Sequence, residues 1–339
     1  DASELDPALL LSEWPGKLNS KFSTEGRLDD GRWTVSADIA ELSGKLRDYP
    51  LSASSQLSWL GDRLEIKQLA LQSGNTSIGL KGQAGETLDL DWSIDSSDLV
   101  QLHPQASGQL QASGQLKGSR ETPHILARFN AKQLQLPDYQ IGSLSGNIDV
   151  DMSAWHKADF TLAARSLLLH NNAVESVDIT ALKQRIVAKV VSPQISTEIE
   201  LKGEAHSKGW QGDIRRASIE AGRYSSWQLK KPARLSIDQH SIELETVCWL
   251  NPQQAELCAT LKRLQDDWQS TLLLSSLPLM QFSEWLPADI KLDGVANASV
   301  ELHLQDRVRL QGKAHIELPP ASIKYPLLDG ELEQWTYRN

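Results

Sequence analysis

Apolar and polar residues alternate one for one along almost the entire chain, and no other feature restricts its fold so tightly. A period of two puts successive side chains on opposite faces of an extended strand, whereas a helix needs apolar residues three and four apart. Leu88, Leu90, Trp92 and Ile94 interleave with Asp89, Asp91, Ser93 and Asp95. The same rhythm runs through Ile148, Val150 and Met152, through Phe160, Leu162 and Ala164, and through Ile195, Thr197, Ile199 and Leu201. It returns in Val308, Leu310, Gly312, Ala314, Ile316 and Leu318, whose opposite face reads Arg309, Gln311, Lys313, His315 and Glu317. Strands with a single apolar face build antiparallel sheets, since doubly covered parallel strands are apolar on both faces. The expected class is therefore all-β.

Helical pattern is confined to three short stretches, Asp6–Pro15, Asp98–Pro104 and Pro278–Pro287, each reading as one or two turns ended by proline. The glycines that follow them, Gly16, Gly108 and Gly294, lie 92 and then 186 residues apart, one and two copies of a single module length. Modules are expected over 1–96, 97–276 and 277–339, as parts of one elongated sheet rather than separate globules. Some 25 strands at about 4.8 Å spacing would extend on the order of 120 Å.

Composition fits a folded chain without a membrane-spanning helix. The hydrophobic set makes up 40% of the 339 residues and aromatics only 6%, so the apolar content is mainly aliphatic. No apolar run exceeds four residues, as in Ala8–Leu11 and Val247–Leu250, against the roughly 20 that a spanning helix needs. An outer-membrane barrel would also alternate, but 5 Tyr and 4 Phe are too few for its aromatic girdles. The net charge of -10, with both signs dispersed, argues against nucleic acid and anionic membrane surfaces as partners. The opening Asp1-Ala2-Ser3-Glu4 carries no basic and apolar leader pattern.

Export is argued instead from the two cysteines, Cys248 and Cys258, each five residues from Gln253 with Asn251-Pro252 as a turn signal. A hairpin centred on Gln253 sets them opposite each other at the separation that a disulfide requires. A cross-strand disulfide is the favoured reading and implies an oxidising compartment; a pair of reduced core thiols is the alternative.

Several blocks are familiar in their order. Leu11-Ser12-Glu13-Trp14-Pro15-Gly16 and Leu42-Ser43-Gly44-Lys45-Leu46-Arg47-Asp48-Tyr49-Pro50-Leu51 come first. The run Ser107–Gly118 follows, with Pro123-His124-Ile125 and Leu134-Gln135-Leu136. Trp210-Gln211-Gly212, Trp227-Gln228-Leu229 and the Cys248–Cys258 hairpin complete the series. Together they resemble the TamB family within the wider AsmA-like superfamily. That resemblance implies a periplasmic chain anchored in the inner membrane, built as an elongated, taco-like open β-sheet with an apolar concave groove and few short helices. It implies movement of phospholipid between the two membranes, with acyl chains in the groove. It also implies an alternative role as a scaffold or chaperone for outer-membrane protein and autotransporter assembly with the TamA barrel. The anchor and the TamA-docking region are expected to lie outside this chain.

Reactive motifs are missing. There is no Gly-x-Ser-x-Gly, no Ser-x-x-Lys, no His-Glu-x-x-His and no phosphate-binding Gly-x-x-x-x-Gly-Lys, so neither an enzyme nor a cofactor or metal is expected. Asp89 with Asp91, and Asp149 with Asp151, pair carboxylates on one strand face, but a solvated polar face is the reading favoured. Trp14 and Trp285 are expected to seat the short helices on the sheet edge. The candidate groove residues are Leu88, Leu90, Trp92, Ile94, Ile148, Val150, Phe160, Leu162, Ile195, Ile199, Val300, Leu302, Leu304, Val308 and Leu310.

Overall fold

The computed structural model describes residues 1–9, 14–29, 32–170, 172–206, 209–221, 225–281, 290–306, 308–326 and 332–337. The protein is all-β and antiparallel, as its alternation requires. It divides into two compact units, Asp1–Lys183 and Gln184–Asn339.

The first unit is a ladder of twelve strands. These are β1 (Ala2–Leu5), β2 (Gly16–Asp29), β3 (Arg32–Leu46), β4 (Tyr49–Leu60), β5 (Arg63–Ser73), β6 (Thr76–Ala84), β7 (Thr87–Ser96), β8 (Ser107–Ser119), β9 (Pro123–Leu136), β10 (Tyr139–Asp151), β11 (Asp159–Leu169) and β12 (Asn172–Leu182). Each pairs with the next in sequence. Most connections are tight turns, for which hairpin-joined antiparallel strands are the natural solution.

The second unit begins with β13 (Arg185–Val191), β14 (Ser196–His206) and β15 (Gly209–Ala221). One edge of β15 is shared by β16 (Ser225–Leu229) and β17 (Ala233–Asp238), and both then pair with β18 (Ser241–Leu250). The ladder continues through β19 (Glu256–Leu264) and β20 (Asp267–Pro278). Past β21 (Lys291–Asp293), β20 pairs with β22 (Val295–Gln305), and β22 with β23 (Arg309–Glu317). β21 joins β24 (Ala321–Pro326) and β25 (Leu332–Tyr337) in a small three-stranded sheet.

Of the first stretch read as a helix, residues 10–13 lie outside the described residues. Pro7–Leu9 and Leu99–Gln101 are short 3-10 segments, residues 279–281 are also in 3-10 conformation, and further 3-10 structure in Met152–Lys157 is broken by a kink at Ala154. Asp98 caps the second, its carboxylate accepting from the Val100 amide at 3.1 Å. Residues 282–289, including Trp285, lie outside the described residues. Trp14, just before β2, has the Arg47 guanidinium 5.0 Å from its ring centre.

Neither unit has the core of a globule. Among the described residues the largest fully buried side chains are Val247, Thr76 and Ser96. The accessible surface is 22331 Å². A compact globule of this mass would expose about 13,800 Å², and two separate globules of half the mass about 16,600 Å².

Candidate functional site

Cross-strand partners share a face, so the register decides which side chains form one surface. In the first unit Trp92 lies opposite Gly114, which continues through Ala127, Ile148 and Phe160 to Ala181. The next row runs Ile94, Ala112, Phe129, Gly146, Leu162, Ile179. A third joins Leu90, Leu116, Ile125 and Val150. The predicted residues Leu88, Leu90, Trp92, Ile94, Ile148, Val150, Phe160 and Leu162 thus stand on one apolar face, six strands wide.

In the second unit Ile199 stands between Ala188 and Ala217. Val300, Leu302 and Leu304 face Leu272, Ser270 and Trp268 on one side, and Ala314, Gly312 and Leu310 on the other. Ile195 and Val308 are placed differently from the strand positions expected for them. Ile195 precedes β14 in a turn closed by the Ser192 amide donating to its carbonyl, and Val308 occupies the turn before β23, strongly exposed. Met152 likewise leaves the strand for a 3-10 turn.

Sequence alternation understated this face. Phe22 pairs with Ile39, Leu28 with Trp33 and Val35 with Trp59, extending the apolar surface to β2–β4. These residues escaped notice because bulges interrupt the period of two. Between β3 and β4 the register slips from Ile39 to Leu42, and between β5 and β6 from Ile66 to Leu69. The extra residue returns apolar side chains three apart to the same face.

Aromatic rings lie flat on this surface because glycine makes room beneath them. A Cβ at Gly114 would come within 2.7 Å of the Trp92 ring, and one at Gly146 within 2.6 Å of Phe129. In the second unit Trp210 covers Gly203 and Gly212 in the same way.

One margin of the first unit's face is closed by the connector of residues 97–106. Gln101 is buried, and its Oε1 accepts from the Asn75 amide at 2.8 Å and from the Thr76 hydroxyl at 3.2 Å. Thr76 and Ser96 hydroxyls bond at 2.7 Å beneath it. From the β3–β4 turn, Arg47 donates to the carbonyls of Leu102 and Val100 at 3.1 and 3.2 Å, strapping the connector down. Gly74, at φ +54, leaves no room for a side chain, since a Cβ would meet Gln101 Oε1 at 2.8 Å.

The opposite face is polar. Asp91 accepts from Gln115 at 2.7 Å and approaches Lys81, Asp89 approaches Lys117, and Asp149 contacts His124 at 2.6 Å. Asp151 caps the turn after β10, and the Ser153 hydroxyl and amide hold its carboxyl below the usual range. Each predicted carboxylate pair therefore belongs to the hydrated side. In the second unit the disulfide lies on the face opposite the apolar one: Cys248 and Cys258 are direct cross-strand partners with Cα atoms 4.0 Å apart, alternating with Val247 and Trp249 on the apolar side. Among the described residues, the one group of three close metal-ligand types is this oxidised pair with Glu256. None of the described helices is long and apolar enough to cross a membrane.

A one-layer antiparallel ladder with an uncovered apolar face, and without a converging reactive cluster among the described residues, defines a protein that presents a hydrophobic surface. The chain belongs to the TamB family: the description "TamB, N-terminal domain" matches residues 1–333. It is 19% identical over 268 residues to the translocation and assembly module subunit TamB of Haemophilus influenzae, covering 76% of this chain and 20% of that protein. The chain thus spans about a fifth of that relative's length. No solved structure matches significantly.

Proposed function

We propose that this chain is a periplasmic segment of a bridge whose apolar face carries phospholipid between the inner and outer membranes. The observation that carries the reading is the continuous apolar face left without a covering layer in both units. Each acyl CH₂ removed from water gains about 0.8 kcal/mol, so a surface that shields tails on one side offsets much of the cost of leaving a bilayer. The head group stays in water. Transfer needs a continuous apolar path and no bond-breaking step, so the protein acts without catalysis or cofactor.

The test is photo-crosslinking in the intact envelope with probes at Leu302 and Ile94, and controls at Glu301 and Asp95 on the polar face. Covalent phospholipid at the first pair alone supports the reading; equal labelling on both faces overturns it. A second reading, a scaffold for outer-membrane protein assembly, draws on β23. All nine of its residues are exposed, and among the described residues only β22 pairs with it. It expects protein crosslinks from the β23 edge in place of lipid.

A further inference from the structure

The two margins of the first unit's apolar face differ within the same strands. In β2, Leu18 is 8% exposed and Leu28 53%; in β4, Leu51 is 5% exposed and Trp59 49%. The buried ends lie on the side of the Gln101 strap, where the face of β5–β7 finishes in Ser73, Thr76 and Ser96, all buried and all hydroxylic. The open ends carry Leu28, Trp33, Val35 and Trp59, all exposed on one face, and β4 is joined to β5 there by a tight turn at Gly61-Asp62 rather than by a covering connector.

Building on the phospholipid reading, we infer that this unit takes a phospholipid through one margin alone. The acyl chains enter between Trp33 and Trp59 and run up the strands, while the head group remains outside at the two indoles. An acyl chain gains nothing against a floor of hydroxyls already bonded to one another and to Gln101, so the strapped margin repels tails as well as blocking them. Indole is suited to the other margin because it joins a large apolar surface to one N–H that prefers water, the property that places Trp at the boundary between hydrocarbon and head groups.

The experiment uses the full-length protein with phosphatidylethanolamine vesicles containing a phospholipid that carries a diazirine either on the head group or at the acyl terminus, and maps labelled residues by mass spectrometry. The head-group probe should label residues around Trp33 and Trp59, and the acyl probe Leu57, Ile66 and Leu69, with neither reaching Leu51 or Gln101. Trp33→Ala with Trp59→Ala should lower acyl labelling at Leu57 about tenfold, while labelling at Leu302 in the second unit persists. Arg47→Ala with Gln101→Ala should admit the head-group probe at Leu51. Head-group labelling at both margins of the unaltered protein, or undiminished Leu57 labelling in the tryptophan variant, overturns the inference and leaves the lipid reading standing. Absence of acyl labelling from the apolar face of both units overturns the lipid reading itself.

Discussion

A glycine under an aromatic ring carries a packing role that its own chemistry does not advertise. At Gly146 the space where a side chain would grow is taken by the Phe129 ring and the Thr161 carbonyl. Gly146→Val should therefore destabilise the protein by about 1–3 kcal/mol through overpacking, read as a lower denaturant midpoint at unchanged slope. Ser55 presents the converse case. It stands between Ile39 and Leu69 on the apolar face, and its buried hydroxyl has no hydrogen-bond partner. Ser55→Ala should raise stability by about 1 kcal/mol, because an unsatisfied buried hydroxyl retains its desolvation cost. An equal or lower midpoint would count against that assignment.

At the scale of strands, bulges and pairings set what the residues achieve. In the second unit the register slips between Leu244 and Val247 and between Leu274 and Leu277, each time spacing two apolar residues three apart on one face. Such a spacing reads as helical in a sequence, and the neighbouring strands decide otherwise. The disulfide ties β18 to β19 across the turn at Asn251–Ala255, where Asn251 Oδ1 accepts from the Ala255 amide at 2.7 Å. Cys248→Ala with Cys258→Ala should cost about 3 kcal/mol in the chain-entropy account, measured by urea unfolding under oxidising conditions. On the polar face, Arg185 donates twice to Glu200, with Arg216 beside it, and the Arg185 hydrogen bonds hold the Glu200 carboxyl below its ordinary value. A depressed carboxyl adds stability at pH above its unfolded value and loses it as pH falls through the folded one. Acid titration of Glu200→Gln should therefore show a shallower fall in stability in that range than the unaltered chain.

For the molecule as a whole, the surface area decides the argument. At 22331 Å², the chain exposes about a third more surface than even two separate globules of half the mass would. A charge placed on that surface meets water and, in the transport reading, acyl chains. Leu302→Glu should leave far-UV and thermal unfolding near those of the unaltered chain, because Leu302 is exposed, while blocking lipid transfer between donor and acceptor vesicles. Unimpaired transfer would remove Leu302 from the path.

The fold class, the antiparallel pairing, the cysteine bridge and the apolar face from Leu88 to Leu162 follow from the sequence alone, because alternation is a local property that every strand states for itself. The reach of the face into β2–β4, the placing of Ile195 and Val308 in turns, the rings over Gly114 and Gly146, and the strap at Gln101 were settled only in three dimensions. The turns at Ile195 and Val308 are closed locally, but the others depend on partners distant in sequence: a bulge is defined by the opposite strand, a covering ring by the glycine beneath it. Gln101 finds its hydrogen bonds 25 and 26 residues away. Periodicity states which side of a strand seeks cover, and packing alone decides which of those sides is left open.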